Sequence, residues 1–167
     1  MENKNFETAD EAKQQKWLIE EVEYTIGDSA KGNLTKEQLR DTIIEMISDD
    51  TIMMIDFNDI RLVFTDIDEA DGVVSEITLD EIDSALKRDI KHICSTHNGK
   101  TIKNILFCIK INGHDDPDIQ LFQIIPNALH EVTKNINCAD FIWGIMQNKS
   151  LEKTKIYTII TFRQIPL

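Results

Sequence analysis

The stretch TLDEIDSALKRDIKHICSTHNGKTIKNILFCIKI, residues 78–111, holds two periodicities in succession, and they decide the fold. Leu79, Ile82, Leu86, Ile90 and Ile93 recur at spacings of three and four, the mark of a helix with one apolar face. Thr78-Leu79-Asp80-Glu81 fits a capping box and places the helix start. Asn98-Gly99 is a turn pair that ends it. Ile105, Phe107, Ile109 and Ile111 then alternate along a strand, while Leu106 and Cys108 fill its other side. A strand apolar on both sides suits the middle of a sheet covered on both faces.

On the C-terminal side, Asn112 to Asp118 carries Gly, Asp and Pro, the chemistry of a turn rather than of a metal loop. Residues 120–136 follow as a helix with Phe122, Ile125, Leu129, Val132 and Ile136 on one face. Pro126 is tolerated only near a helix start, so regular helix is expected from there. Residues 139–146 and 155–162 read as strands, and the short gap between them predicts an antiparallel hairpin.

On the N-terminal side, residues 66–77 read as a polar strand supported by Val73, Val74 and Ile77. Residues 9–26 form a helical pattern through Trp17, Leu18, Ile19, Val22 and Ile26. Thr35-Lys36-Glu37-Gln38 caps a second helix with Leu39, Ile43, Met46 and Ile47 on its buried stripe. Between that helix and the polar strand lies Met53-Met54-Ile55-Asp56-Phe57-Asn58-Asp59-Ile60-Arg61, read as a loop entering a short helix. Long helical connections favour right-handed crossovers between parallel strands. The expected fold is α+β: a mixed four-stranded sheet, βαβαββ, with helices packed on one face and the N-terminal helices nearby. Residues 1–33 are expected to form a helical arm and residues 34–167 the main domain.

Composition narrows the function. Thirty acidic residues against 18 basic ones give a net charge of −12, which argues against nucleic acid and anionic membrane surfaces. Asp66, Asp68, Glu69, Asp71, Glu76, Asp80, Glu81 and Asp83 fall in a window without Lys or Arg, the pattern of a solvated face. Residues 66–72 depart from a calcium loop in the spacing of their acids. Cys94, Cys108 and Cys138 stand apart with no CxxC, so neither a zinc site nor a disulfide framework is expected. His92, His97, His114 and His130 have no i,i+4 partner and read as surface or structural residues. No run approaches the roughly 20 apolar residues of a membrane span, and the N-terminus has no apolar signal region. A cytoplasmic location is expected.

The order of these elements is similar to the C-terminal domain of FtsZ/tubulin-family GTPases, over about Glu37 to Phe162. Residues 54–61 resemble the family's synergy loop, usually of the form Asn-Val-Asp-Phe-Ala-Asp-Val-Arg. Asp56, Phe57, Asp59 and Arg61 match it, and Met54 stands at the Asn position. Lys103 to Ile109, Leu121-Phe122, Phe141 to Gly144 and Ile156 to Phe162 resemble later family segments. In the family this loop touches the nucleotide held by the next subunit. The resemblance therefore implies that Asp56 and Asp59 position the attacking water in trans, with Met54, Phe57, Asn58 and Arg61 as partner contacts. Phosphoryl transfer rewards such positioning. Read without the resemblance, Asp56 caps the short helix and Asp59 sits in its first turn.

The glycines Gly27, Gly32, Gly72, Gly99, Gly113 and Gly144 are isolated, so no phosphate-cradling loop is present in the sequence. The chain alone is not expected to be an enzyme or to hold a cofactor or metal. The leading expectation is a stand-alone interaction domain that caps, or stimulates in trans, a full-length FtsZ/tubulin-like GTPase filament. A degenerate self-associating module is the alternative. A trimeric chorismate mutase-like enzyme is a third reading, weakened by the scatter of Arg40, Arg61, Arg88 and Arg163.

Overall fold

A computed structural model describes residues 9–47, 51–113, 121–134 and 140–164. In chain order the elements are α1 (Ala9–Ile26), α2 (Lys36–Ile47), β1 (Thr51–Met53), α3 (Phe57–Phe64) and β2 (Glu69–Ile77). A 3-10 turn (Leu79–Glu81) then leads into α4 (Ile82–Thr96), β3 (Lys100–Asn112), α5 (Leu121–Thr133), β4 (Asp140–Asn148) and β5 (Thr154–Gln164). The sheet order is β1-β4-β3-β5-β2. The fold is α+β, and its four long strands are those expected.

β3 is the centre. Residues 104–111 are all buried. Ile105, Phe107, Ile109 and Ile111 face a core shared with Ile82, Leu86, Ile90 and Ile93 of α4 and Ile125 and Leu129 of α5. Leu106 and Cys108 face a second core, closed by Val22 and Ile26 of α1, Leu39, Ile43 and Met46 of α2, and Ile60, Val63 and Phe64 of α3. The two crossover helices thus cover one face and the N-terminal helices cover the other. Both capping boxes predicted for α2 and α4 form: Thr35 N donates to Gln38 Oε1 at 2.9 Å, and Thr78 N donates to Glu81 Oε2 at 2.9 Å.

Three expectations need correction. β4 and β5 do not pair with each other. β3 lies between them, parallel to β4 and antiparallel to β5. The central place goes to β3, the longest strand and buried throughout 104–111, so β4 and β5 each pair with it instead of with each other. The connection passes over the end of β3 at Gly113, whose amide donates to the Asn148 carbonyl at 3.0 Å. A Cβ on Gly113 would collide with the Lys149 backbone.

α5 starts at Leu121 and runs through Pro126. The ring lies on the exposed side, and the one bond it forgoes would have gone to the Phe122 carbonyl, near the free end of the helix. The sheet has five strands, not the expected four; the additional one is β1. It is short and antiparallel to β4, with Thr51 opposite Met146.

The segment between α1 and α2 is tied to β2. Ala70 N donates to Ser29 O at 2.7 Å, and Lys31 N donates to Ala70 O at 2.9 Å. Asp71, fully buried, accepts from Asn33 N and Asn33 Nδ2, both at 2.7 Å, and from Leu34 N at 3.2 Å. The His97 ring stacks on Phe162 and lies between two carboxylates, with Nε2 3.2 Å from Asp71 and Nδ1 3.1 Å from Glu69. Gly32, at φ 122°, is required here because a Cβ would strike the Asp71 carboxylate.

Candidate functional site

α3 is short, and its position comes from apolar anchors on both sides of its start. Ile55 is 1% exposed and Ile60 is fully buried, so the chain around Asp56 is fixed from below. Asp56 has extended backbone, φ −100° and ψ 173°, as an N-cap requires. Its Oδ1 accepts from Asn58 N at 2.7 Å and from Asp59 N at 3.0 Å. Asp59 Oδ2 accepts in return from Asp56 N at 2.9 Å. The two acids form a reciprocal capping box.

That geometry has a chemical consequence. One oxygen of each carboxylate is engaged by the helix start, which holds the side chain in a single orientation. Asp56 Oδ2 and Asp59 Oδ1 are the oxygens left over from the box. Asp56 is exposed and Asp59 half-buried, so both stand at the surface. A carboxylate fixed this way can order a water or a cationic group without changing its own conformation.

Met54 is 66% exposed and Asn58 is exposed, so these two form the free tip of the segment. Phe57 and Arg61 are engaged by α1. The Trp17 and Phe57 rings are 6.2 Å apart and tilted, and the Arg61 guanidinium lies 4.7 Å from the Phe57 ring centre. Arg61 Nη2 also pairs with Glu21 Oε2 at 3.0 Å. The structure brings all six sequence-predicted site residues into one continuous segment, four at its open end and two beneath α1. The sequence places Trp17 on the apolar stripe of α1 but links neither it nor Glu21 to this segment. Their signal is a plain helical i,i+4 spacing, which does not say what they face.

Elsewhere, the Lys100 ammonium beside Glu69, with help from His97, holds the Glu69 carboxyl below its usual range against the opposing effect of burial. Burial pushes the Cys94 thiol up, and Cys108 is a core residue. Cys138 and residues 114–118 lie outside the described residues. Among the described residues no group of His, Cys, Asp and Glu is arranged to hold a metal ion, and no helix is long and apolar enough to cross a membrane.

No family model matches the sequence, and no curated protein matches it. Solved structures do. An empty FtsZ dimer of M. jannaschii is similar over 86% of this chain and 43% of its own, at 14% identity and a TM-score of 0.54. A helical model of the TubZ-Bt four-stranded filament is similar over 94% of this chain and 49% of its own, at 13% identity and a TM-score of 0.54. CetZ from Methanosaeta thermophila strain DSM 6194 is similar over 78% and 37%, at 11% identity and a TM-score of 0.53. The chain therefore has an FtsZ/tubulin-like fold and spans less than half the length of these proteins. The share matched in the TubZ filament is too large to leave out the whole of residues 1–33.

Proposed function

We propose that this chain is an interaction domain that docks through the Met54–Arg61 segment onto the nucleotide-bearing face of a complete FtsZ/tubulin-like GTPase subunit, where it caps or modulates the filament. The observation that carries this reading is the pairing of fold and tip. A chain similar to filament-forming proteins over most of its length presents Asp56 and Asp59 in one locked orientation, with Met54 and Asn58 free beside them. The roles follow from position. Met54 and Asn58 make first contact. Phe57 and Arg61, held against α1, keep the tip from folding back. Asp56 and Asp59 direct their remaining oxygens at a water near the partner's terminal phosphate. The nucleotide and its phosphate cradle belong to the partner, and this chain supplies no turnover alone.

The test measures GTP turnover of the same cell's FtsZ-like protein with and without this chain. Asn caps a helix about as well as Asp. Asp56→Asn/Asp59→Asn therefore removes the charges and spares the fold, which alanine would not do. Stimulation by the intact chain that disappears in the double Asn variant is the expected result. An effect that survives the variant reduces the role to capping without chemistry. No effect of the intact chain at high concentration removes the reading and favours a self-associating module.

A further inference from the structure

His97 closes α4, and its side chain is only 4% exposed. Two carboxylates face its ring, Asp71 at Nε2 and Glu69 at Nδ1. An ionised carboxylate only accepts hydrogen bonds. Asp71 already accepts from Asn33 N, Asn33 Nδ2, Leu34 N and Gly72 N, all of them pure donors. Glu69 accepts from Lys100, which holds its carboxyl below the usual range. Both contacts of the ring are therefore hydrogen bonds only when both of its nitrogens carry a proton. His92 differs. Its Nε2 lies 3.0 Å from Asn33 Oδ1, and a single N–H suffices there.

The rest of the surroundings suit a cation. The ring stacks on Phe162 of β5 with centroids 4.2 Å apart. It stands at the C-terminal end of α4, where free carbonyls favour positive charge. β2 brings Glu69 and Asp71, and β3 brings Lys100. The link between α1 and α2 brings Gly32, Asn33 and Leu34, all uncharged. With the ring charged, each carboxylate has a cation. With the ring neutral, Lys100 stays on Glu69, and the fully buried Asp71 is left with no cation among the described residues. A buried charge without a counter-charge is costly, and hydration relieves it. Asn33 is the exposed member of the clasp, so water reaches Asp71 when Asn33 and Leu34 lift away.

We propose that His97 is a proton-operated latch. Carrying both protons, it pins Asp71 and, through Asp71, holds residues 29–34 on β2. On losing one, it lets that link lift from the sheet. The stabilisation is present at the acidic end of the imidazole range and is lost as pH rises. Its test is hydrogen exchange of the full chain between about pH 5.5 and about pH 8.5, corrected for the intrinsic pH dependence of exchange. Protection of the Asn33 and Leu34 amides, taken relative to the buried amides of β3, is expected to fall roughly ten-fold across that range. His97→Gln cannot gain a charge and should abolish the fall, whereas His92→Gln should keep it. Nitrogen NMR of the imidazoles needs no variant. It should show both ring nitrogens of His97 protonated at about pH 5.5, and one proton lost with the same midpoint as the protection. Relative protection that stays level overturns the latch. So does a fall that survives His97→Gln or vanishes in His92→Gln, or a His97 ring that carries one proton throughout.

Discussion

The two faces of the sheet are built differently. The face under α4 and α5 is made from helices that each connect two strands of the same sheet, so chain order alone brings them there. The face under α1, α2 and α3 is assembled from three helices of the first 64 residues; α3 joins β1 to β2, whereas α1 and α2 precede the sheet and the link between them is tied to β2 by polar contacts. The first face is a core and little else. The second carries the exposed tip and the capped acids. The proposed docking segment lies on this second face, at the start of α3 and outside the sheet ladder.

The largest effect is expected at a single core residue. Leu86→Ala empties the crossover face and is expected to cost about 3 kcal/mol, read as a shift of the urea midpoint. A loss below about 1 kcal/mol would mean that this face is not the rigid one. Next comes the tie on the other face. Asp71→Ala leaves the Asn33, Leu34 and Gly72 amides without their acceptor, and about 2 kcal/mol should be lost. Hydrogen exchange should then speed first in α1 and residues 27–35. Uniform acceleration across both faces would show that the tie serves the whole fold equally.

A smaller effect is expected at the tip. Asp56→Ala should cost about 1 kcal/mol through loss of the cap, and Asp56→Asn much less. Equal losses from the two would mean that the charge, not the cap, holds α3. The smallest effect depends on pH. The folded-state carboxyl of Glu69 is depressed, chiefly by Lys100, so its stabilisation is present above the unfolded value near 4.5 and fades as pH falls through the lower folded value. Glu69→Gln should therefore lower the thermal midpoint at pH 7, and the gap to the unaltered chain should close below pH 4.5. A gap that persists in acid would assign the loss to packing.

The first face was legible because its signals are periodic. The stripe of α4 and the double alternation of β3 survive any reading of their neighbours. The second face was only partly so. The caps of α2 and α3 could be read from four-residue patterns, and Asp56 and Asp59 were found as a pair. The contact of Trp17 with Phe57 and the clasp of Asp71 around Asn33 join residues about forty apart through geometry that no local spacing encodes. The strand order failed for a related reason. A short link between two strands usually means a hairpin, but here it crosses the end of β3, which pairs with both strands.

The most direct test of the account is pelleting of this chain with GTP-loaded polymer of the same cell's FtsZ-like protein, comparing the intact chain with Met54→Asp. Met54 is 66% exposed and bears no part of the core, so the variant should fold unchanged. The intact chain is expected to pellet with the polymer, and Met54→Asp to remain in the supernatant. Equal pelleting of both would contradict docking through the tip.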